Sequence, residues 1–321
     1  MMCWVRAGFR SIKGRNQSGY LDISCYIRTW IPASLSRFVV KDFIMGTPQE
    51  LINLLECEAN AFKLYLTTLS ENDWMHPSAC DGWTVAHVVA HVAGQDFSLR
   101  IRRGLSGDTS PPPGSPDPED HDEDQFAQAI FERAFSTVDT LGKNLLNEFS
   151  ARLEDSIEVF KSVCSTQWDT LCYWPPGPEK IETMLEMRIS ELTMHAWDVR
   201  SELESDYHLS PASVQVLCDT VPRAIRRSFR PDPEIKSPIR YRFNLVDFAG
   251  NIQDVVVTAE GAYLEEGLTE SSSPCFNCSA ESYVLIMYGR LKTDDALSLG
   301  LLKCEQGHEF AIEFGNRFIG G

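Results

Sequence analysis

The sequence predicts an α+β protein: a four-helix bundle over residues 45–205, followed by a small α+β domain over residues 206–321. Three observations carry that expectation. Apolar residues recur at helical spacing through four long stretches before residue 205. Beyond Pro211 the pattern changes, and segments such as "IRYRFNLVDFAG" and "IQDVVVTAEG" alternate in the manner of strands. The chain is 43% hydrophobic yet has no apolar run long enough to span a bilayer, which places it among globular proteins with no membrane partner.

The first helix starts after Met45 in "MGTPQELINLL", where Thr47 is placed to cap, Pro48 suits the first helical position and Glu50 completes a capping box. Leu54, Leu55, Phe62, Tyr65, Leu66 and Leu69 then keep a helical period. The segment "HPSACDG" breaks the chain, and Thr84 opens a second helix running to Gly104. Residues 105–124 are rich in Pro, Gly, Ser and acids and read as a solvated connection. A third helical pattern covers 125–162, with a break near Gly142, and a fourth covers 179–202. In the second domain "ASVQVLCDTVPRAIRRSF" and "SAESYVLIMYGRLKTDDALSLG" read as helices, and "LLKCEQGHEFAIEFG" reads as a closing hairpin.

The formal net charge of −17 excludes a general phosphate-backbone footprint, so no nucleic acid is expected and a small-molecule substrate is the default partner. Ten scattered cysteines without a secretory signal indicate a reducing, cytoplasmic setting in which most are small core residues. An alternative gathers Cys275, Cys278, Cys304 and His308 into a Cys3His zinc site. Residues 1–44 carry seven basic against two acidic residues, as a transit peptide would or as an upstream translation start would. The strong helix start after Met45 favours the second.

The chemistry concentrates in "RISELTMHAWDVR". Glu191 and His195 are one helical turn apart, so carboxylate and imidazole leave the same face. A carboxylate in a core-facing helix needs a compensating charge. His91, on the apolar face of the second helix in "VVAHVAG", supplies a second imidazole that a bundle turns toward the fourth helix, with His87 one turn earlier. His91, Glu191 and His195 therefore form a candidate metal site of two nitrogens and one oxygen with a position left open. Zinc is the first candidate, with iron, nickel or manganese also accommodated. Asp198 either accepts from a ligand imidazole or points to solvent. Trp83 and Trp197 read as core anchors. An exposed Glu–His pair without metal is the plainer reading of the fourth helix alone.

These residues resemble a known family. "HPSACDGWTVAHVVAHVAG", followed about a hundred residues later by "RISELTMHAWDVR", is similar to the metal-binding domain of the mycothiol-dependent maleylpyruvate isomerase family, within the DinB-like four-helix bundles. Thr84, His91, Glu191, His195, Trp197 and Asp198 fit its pattern residue by residue, whereas His87 departs from it. The tail from Cys278 is similar to that family's sterol-carrier-protein-like domain, with Gly289-Arg290 at its recurrent Gly-Arg. The resemblance implies a divalent metal at His91, Glu191 and His195, usually zinc, and a low-molecular-weight thiol such as mycothiol as cosubstrate. It leaves ligand exchange between His87 and His91 open.

On that reading a thiolate adds to a small electrophilic substrate. In an isomerase the resulting single bond rotates and the thiol leaves; in a transferase the thiol stays attached. Arg290 is a candidate catalytic residue that clamps a substrate carboxylate, or else a surface arginine ending a helix. Two alternatives remain: a metallohydrolase using metal-bound water, and a non-catalytic, metal-stabilised small-molecule-binding protein. Substrate, thiol and oligomeric state are not encoded in any motif.

Overall fold

The computed structural model describes residues 46–94, 96–248, 252–265 and 274–318. The expectations for residues 1–44 lie outside the described residues. Helix α1, Pro48–Leu66, begins as expected, with Thr47 and Glu50 closing a reciprocal capping box. A one-turn helix α2, Glu71–Trp74, was not foreseen; its Ser70 and Asp73 form a second box of the same kind.

The expected second helix is two helices, α3 (Val85–Ala93) and α4 (Phe97–Leu105), separated at Gly94. The carbonyls freed at the end of α3 are taken by cations: Val92 O accepts from Arg188 at 3.3 Å and Ala93 O from Arg152 at 3.3 Å. The third pattern likewise divides into α5 (Glu123–Leu141) and α6 (Leu145–Lys161) at Gly142, whose φ of +48° suits a residue without Cβ. A two-residue pairing of β1 (Leu171–Cys172) with β2 (Glu179–Lys180) leads into α7, Ile181–Arg200. Helices α1, α3, α6 and α7 pack around the first core, in which Phe62, Val88, Phe149, Leu153 and Leu192 are all but fully buried.

The second domain opens with α8, Pro211–Ser228. Strands β3 (Ile239–Leu245), β4 (Ile252–Val257), β5 (Ala262–Glu265) and β6 (Cys275–Cys278) follow, then α9 (Ala280–Met287), α10 (Thr293–Ser298), β7 (Leu302–Cys304) and α11 (His308–Gly315). The five-stranded sheet has the order β5-β4-β3-β6-β7, with β3 and β6 parallel and the other neighbours antiparallel. The closing hairpin is corrected to strand β7 plus helix α11. "HEFAIEF" fits alternation and helical period alike, and the helix prevails because it lays Ala311 and Phe314 on the sheet. There Phe314 meets Tyr241, Phe243 and Phe276 edge-on.

Helix α7 is buried on nearly every face and contributes to both cores, with Leu185, Ile189 and Leu192 in the first and Met194 in the second. Trp83 packs against the first core and Trp197 against the second. No described helix is long and apolar enough to cross a membrane.

The proposed Cys3His site does not form among the described residues. Cys275 and Cys278 are three apart on β6 and so face opposite sides of the sheet, and Cys278 is buried. Fewer cysteines are core residues than expected: of those described, Cys172, Cys218 and Cys278 are buried, while Cys57 and Cys164 are exposed. Burial pushes the Cys172 thiol up to about 11 and those of Cys218 and Cys278 to about 12. Iodoacetamide at pH 8, mapped by mass spectrometry, is expected to label Cys57 and Cys164 and to spare these three. Gly104 lets α4 pass close to β1, since a Cβ there would lie 2.5 Å from Cys172 Sγ and 2.7 Å from Leu171 O. Gly104→Ala should destabilise the chain by about 1–3 kcal/mol, read as a lower urea midpoint at unchanged slope.

Candidate metal centre

The centre is built on α7, a helix that contributes to both cores. Its turn 191–198 brings Glu191, His195 and Asp198 to one side, and α3 faces it with His91. The Glu191 carboxylate oxygen Oε2 is 3.5 Å from His91 Nε2 and 3.4 Å from His195 Nε2. All three donor atoms lie within 4.8 Å of one another. The side chains are largely buried, with 12% of His91, 25% of Glu191 and 11% of His195 exposed.

These separations suit a shared ion. Two ligands about 2.1 Å from a zinc ion and at the tetrahedral angle lie about 3.4 Å apart. The two imidazoles meet edge to face at 4.7 Å between centroids, so both rings direct Nε2 at the same carboxylate oxygen. The donor set therefore fits a divalent cation.

Behind the three donors stands a second layer. His195 Nδ1 is 2.8 Å from Asp198 Oδ2, so a proton held on Nδ1 leaves Nε2 free to bind. Asp198 is fully buried and also accepts from the Cys80 thiol at 3.1 Å and from Arg290 Nε and NH2, each at 3.0 Å. Its backbone carbonyl accepts from Ala79 N–H at 2.9 Å, which ties the loop before α3 to α7. Of the two sequence readings of Asp198, the structure thus realises the imidazole partner.

Burial pushes Asp198 up, but the Arg290 charge and the His195 bond outweigh it and hold its carboxyl well below the usual range. Burial also raises Glu191, and its hydrogen bonds with His195 and His91 more than reverse this. Burial lowers His91. For His195, burial is overcome by Asp198, Cys80 and Glu191, which raise it well above an ordinary imidazole. Without a cation the pocket favours a proton on His195, the position a divalent ion would take over.

Arg290 is placed differently from both sequence readings. It is neither at the surface nor open as a two-pronged clamp: it is 16% exposed, it is engaged edge-on by Asp198, and its NH1 donates to Tyr288 O at 2.9 Å. Gly289, at φ +71°, makes the turn after α9 that carries it there.

His87 stands apart from the three donors. Its Nδ1 accepts from Thr84 N–H at 3.1 Å, capping α3, and its ring stacks on Phe135 at 3.8 Å. Sequence reasoning did not find Cys80, Arg188 or the aromatic flank. Trp83 lies 5.4 Å from the His91 ring and 6.3 Å from Phe131. Arg188, one turn before Glu191, is 1% exposed and lies over the Phe97 ring at 5.2 Å. The group Cys80, His195 and Asp198 also clusters closely enough for a metal, but the Arg290 guanidinium occupies the Asp198 carboxylate and repels a second cation.

Asp198→Asn should cost about 3–5 kcal/mol, because it leaves the Arg290 charge buried without its partner. The double variant Asp198→Asn/Arg290→Met should recover part of that loss in a chemical-denaturation cycle.

Residues 55–200 match the family described as the mycothiol maleylpyruvate isomerase N-terminal domain. Among solved structures, the chain is similar to the crystal structures of the mycothiol-dependent maleylpyruvate isomerase and of a histidine-to-alanine mutant of it. In each case the TM-score is 0.57 at 14% identity, over 82% of this chain and 95% of the other. No curated protein matches the chain. Over residues 55–200, then, the chain matches the mycothiol maleylpyruvate isomerase N-terminal domain, and it is similar in fold to that isomerase.

Proposed function

We propose that the chain is a metal-dependent enzyme that uses a low-molecular-weight thiol, mycothiol or a relative, to isomerise or conjugate a small electrophilic substrate. The observation that carries this reading is the convergence of His91 Nε2, Glu191 Oε2 and His195 Nε2 at the separations of a shared ion, inside a domain of this family. Zinc suits two imidazoles and one carboxylate with one side open. A divalent ion bound by these residues would supply Lewis acidity that favours the thiolate form of a thiol at neutral pH.

The chain's own residues supply the rest. His91, Glu191 and His195 would hold the ion, and Glu191 would balance half of its charge in a site where a lone carboxylate is costly. Asp198 keeps the His195 proton on Nδ1 and so fixes the tautomer that binds. Arg290 acts as a positioning residue, because its fork holds Asp198 in place. Trp83 covers one flank of His91 and reduces access of water from that side.

Metal stoichiometry tests the reading. About one divalent ion per chain is expected, lost in His195→Ala and retained in Cys278→Ala, which lies in the other core. Turnover of maleylpyruvate should require added mycothiol and disappear with the metal. A chain that binds no metal, or whose turnover proceeds equally without thiol, refutes the proposal; the latter outcome assigns it to hydrolysis.

A further inference from the structure

The sheet domain reaches the layer behind the metal centre through one short turn, and the thiol reading gives no role to the side chain that opens it. Residues 288–290 close α9: Tyr288 N–H and Gly289 N–H donate to Val284 O and Ile286 O, and Arg290 N–H returns to Leu285 O at 2.7 Å. Those bonds fix the shape of the turn but not its place against α7, since all of them run within one element. Side-chain bonds that leave the turn bear on its place. Arg290 donates to Asp198 through Nε and Nη2, each at 3.0 Å, while its Nη1 donates to Tyr288 O at 2.9 Å. From the same Tyr288 the hydroxyl meets Thr220 Oγ1 on α8 at 2.7 Å.

The neighbouring groups assign the direction of that last bond. Thr220 and Ser190 each have a main-chain carbonyl at 2.9 Å on their own helix, Val216 O and Glu186 O, to take the hydroxyl proton. Thr220 Oγ1 is thereby free to accept, and Tyr288 is the donor. Burial pushes the Tyr288 phenol up, so its proton is present at neutral pH. Thr220 and Ser190 are both buried, 3.2 Å apart, and Ser190 immediately precedes Glu191 on α7. Tyr288 is therefore tied on one side to the stretch of α7 that bears Glu191, through Thr220, and on the other to the guanidinium that holds Asp198.

We propose that Tyr288 is a positioning residue: its hydroxyl, anchored on Thr220, holds the 288–290 turn where the Arg290 fork meets Asp198. For the metal itself the inference rests on the proposed function, because Asp198 in turn orients His195. Tyr288→Phe removes this one bond, keeps the ring, and leaves Thr220 bonded to Val216 O. The turn then loses its tether to α8, and the Arg290–Asp198 bonds open more often.

The test reads Arg290 itself, in the isotope-labelled full chain, by NMR exchange of its Nε–H with water; loss of the signal in Arg290→Lys assigns it. Exchange should quicken about fivefold in Tyr288→Phe and in Thr220→Val, and stay at the wild-type rate in Thr220→Ser, which keeps the hydroxyl. Tyr283→Phe is the control: that hydroxyl is buried on α9 with no hydrogen-bond partner among the described residues, so its removal should leave Arg290 unmoved. Cobalt(II) titration of the same samples should give about threefold to tenfold weaker binding in Tyr288→Phe and wild-type binding in Tyr283→Phe. Unchanged exchange in Tyr288→Phe overturns the assignment, as does equal quickening in Tyr283→Phe; Thr220→Val decides the matter if Tyr288→Phe fails to fold. Quickened exchange with unchanged cobalt affinity overturns the extension to the metal. A wild type that binds no cobalt refutes the metal reading, and the Arg290 signal then decides the positioning role alone.

Discussion

Asp198 is a charged group with almost no access to water, and most of the site depends on how its carboxylate is satisfied. It holds the His195 imidazole by Nδ1, takes two N–H bonds from Arg290 and accepts the Cys80 thiol, while its main-chain carbonyl anchors Ala79. An isolated buried carboxylate would be protonated or would destabilise the fold; here two cationic partners keep it ionised. Because one of those partners comes from the sheet domain and the other is a candidate metal ligand, the orientation of His195 depends on Arg290, 92 positions from Asp198 in the chain.

That dependence explains why α7 has its unusual composition. A helix facing one core carries an apolar stripe and a polar back, but α7 is enclosed by both domains and buries Arg188, Ser190, Thr193, His195 and Asp198 together with its apolar residues. Each polar group finds a partner from a different element. Arg188 donates to the end of α3, and Ser190 lies 3.2 Å from Thr220 of α8, which meets the Tyr288 hydroxyl at 2.7 Å. Enclosure on all sides is also what brings the donors out of water, where their attraction for a cation is strongest.

Much of this was legible in the residues. The Thr47 and Glu50 box is local, so its signature sufficed; so did the one-turn spacing of Glu191 and His195 and the placing of His91 on an apolar face. What escaped notice depends on long-range partners. The break at Gly94 looks helical in isolation, and the arginines that accept its consequences lie 96 and 59 residues from the carbonyls they serve. His87 reads as a spare ligand in the sequence, but Phe135 and the Thr84 N–H hold it away from the three donors. "HEFAIEF" obeys both periods, and only the aromatic face of the sheet decides between them. Arg290 was recognisable as important, but its partner was not.

The Gly289 turn has a consequence for how this architecture can vary. By delivering Arg290 from the sheet domain onto Asp198 in the bundle, it makes the two halves non-interchangeable: a bundle recombined with a foreign partner domain would inherit an ionised carboxylate with no guanidinium and a tilted imidazole. The junction therefore behaves as a shared keystone, tighter in what it tolerates than the sheet's far edge at β5, where no such charge pair must be kept.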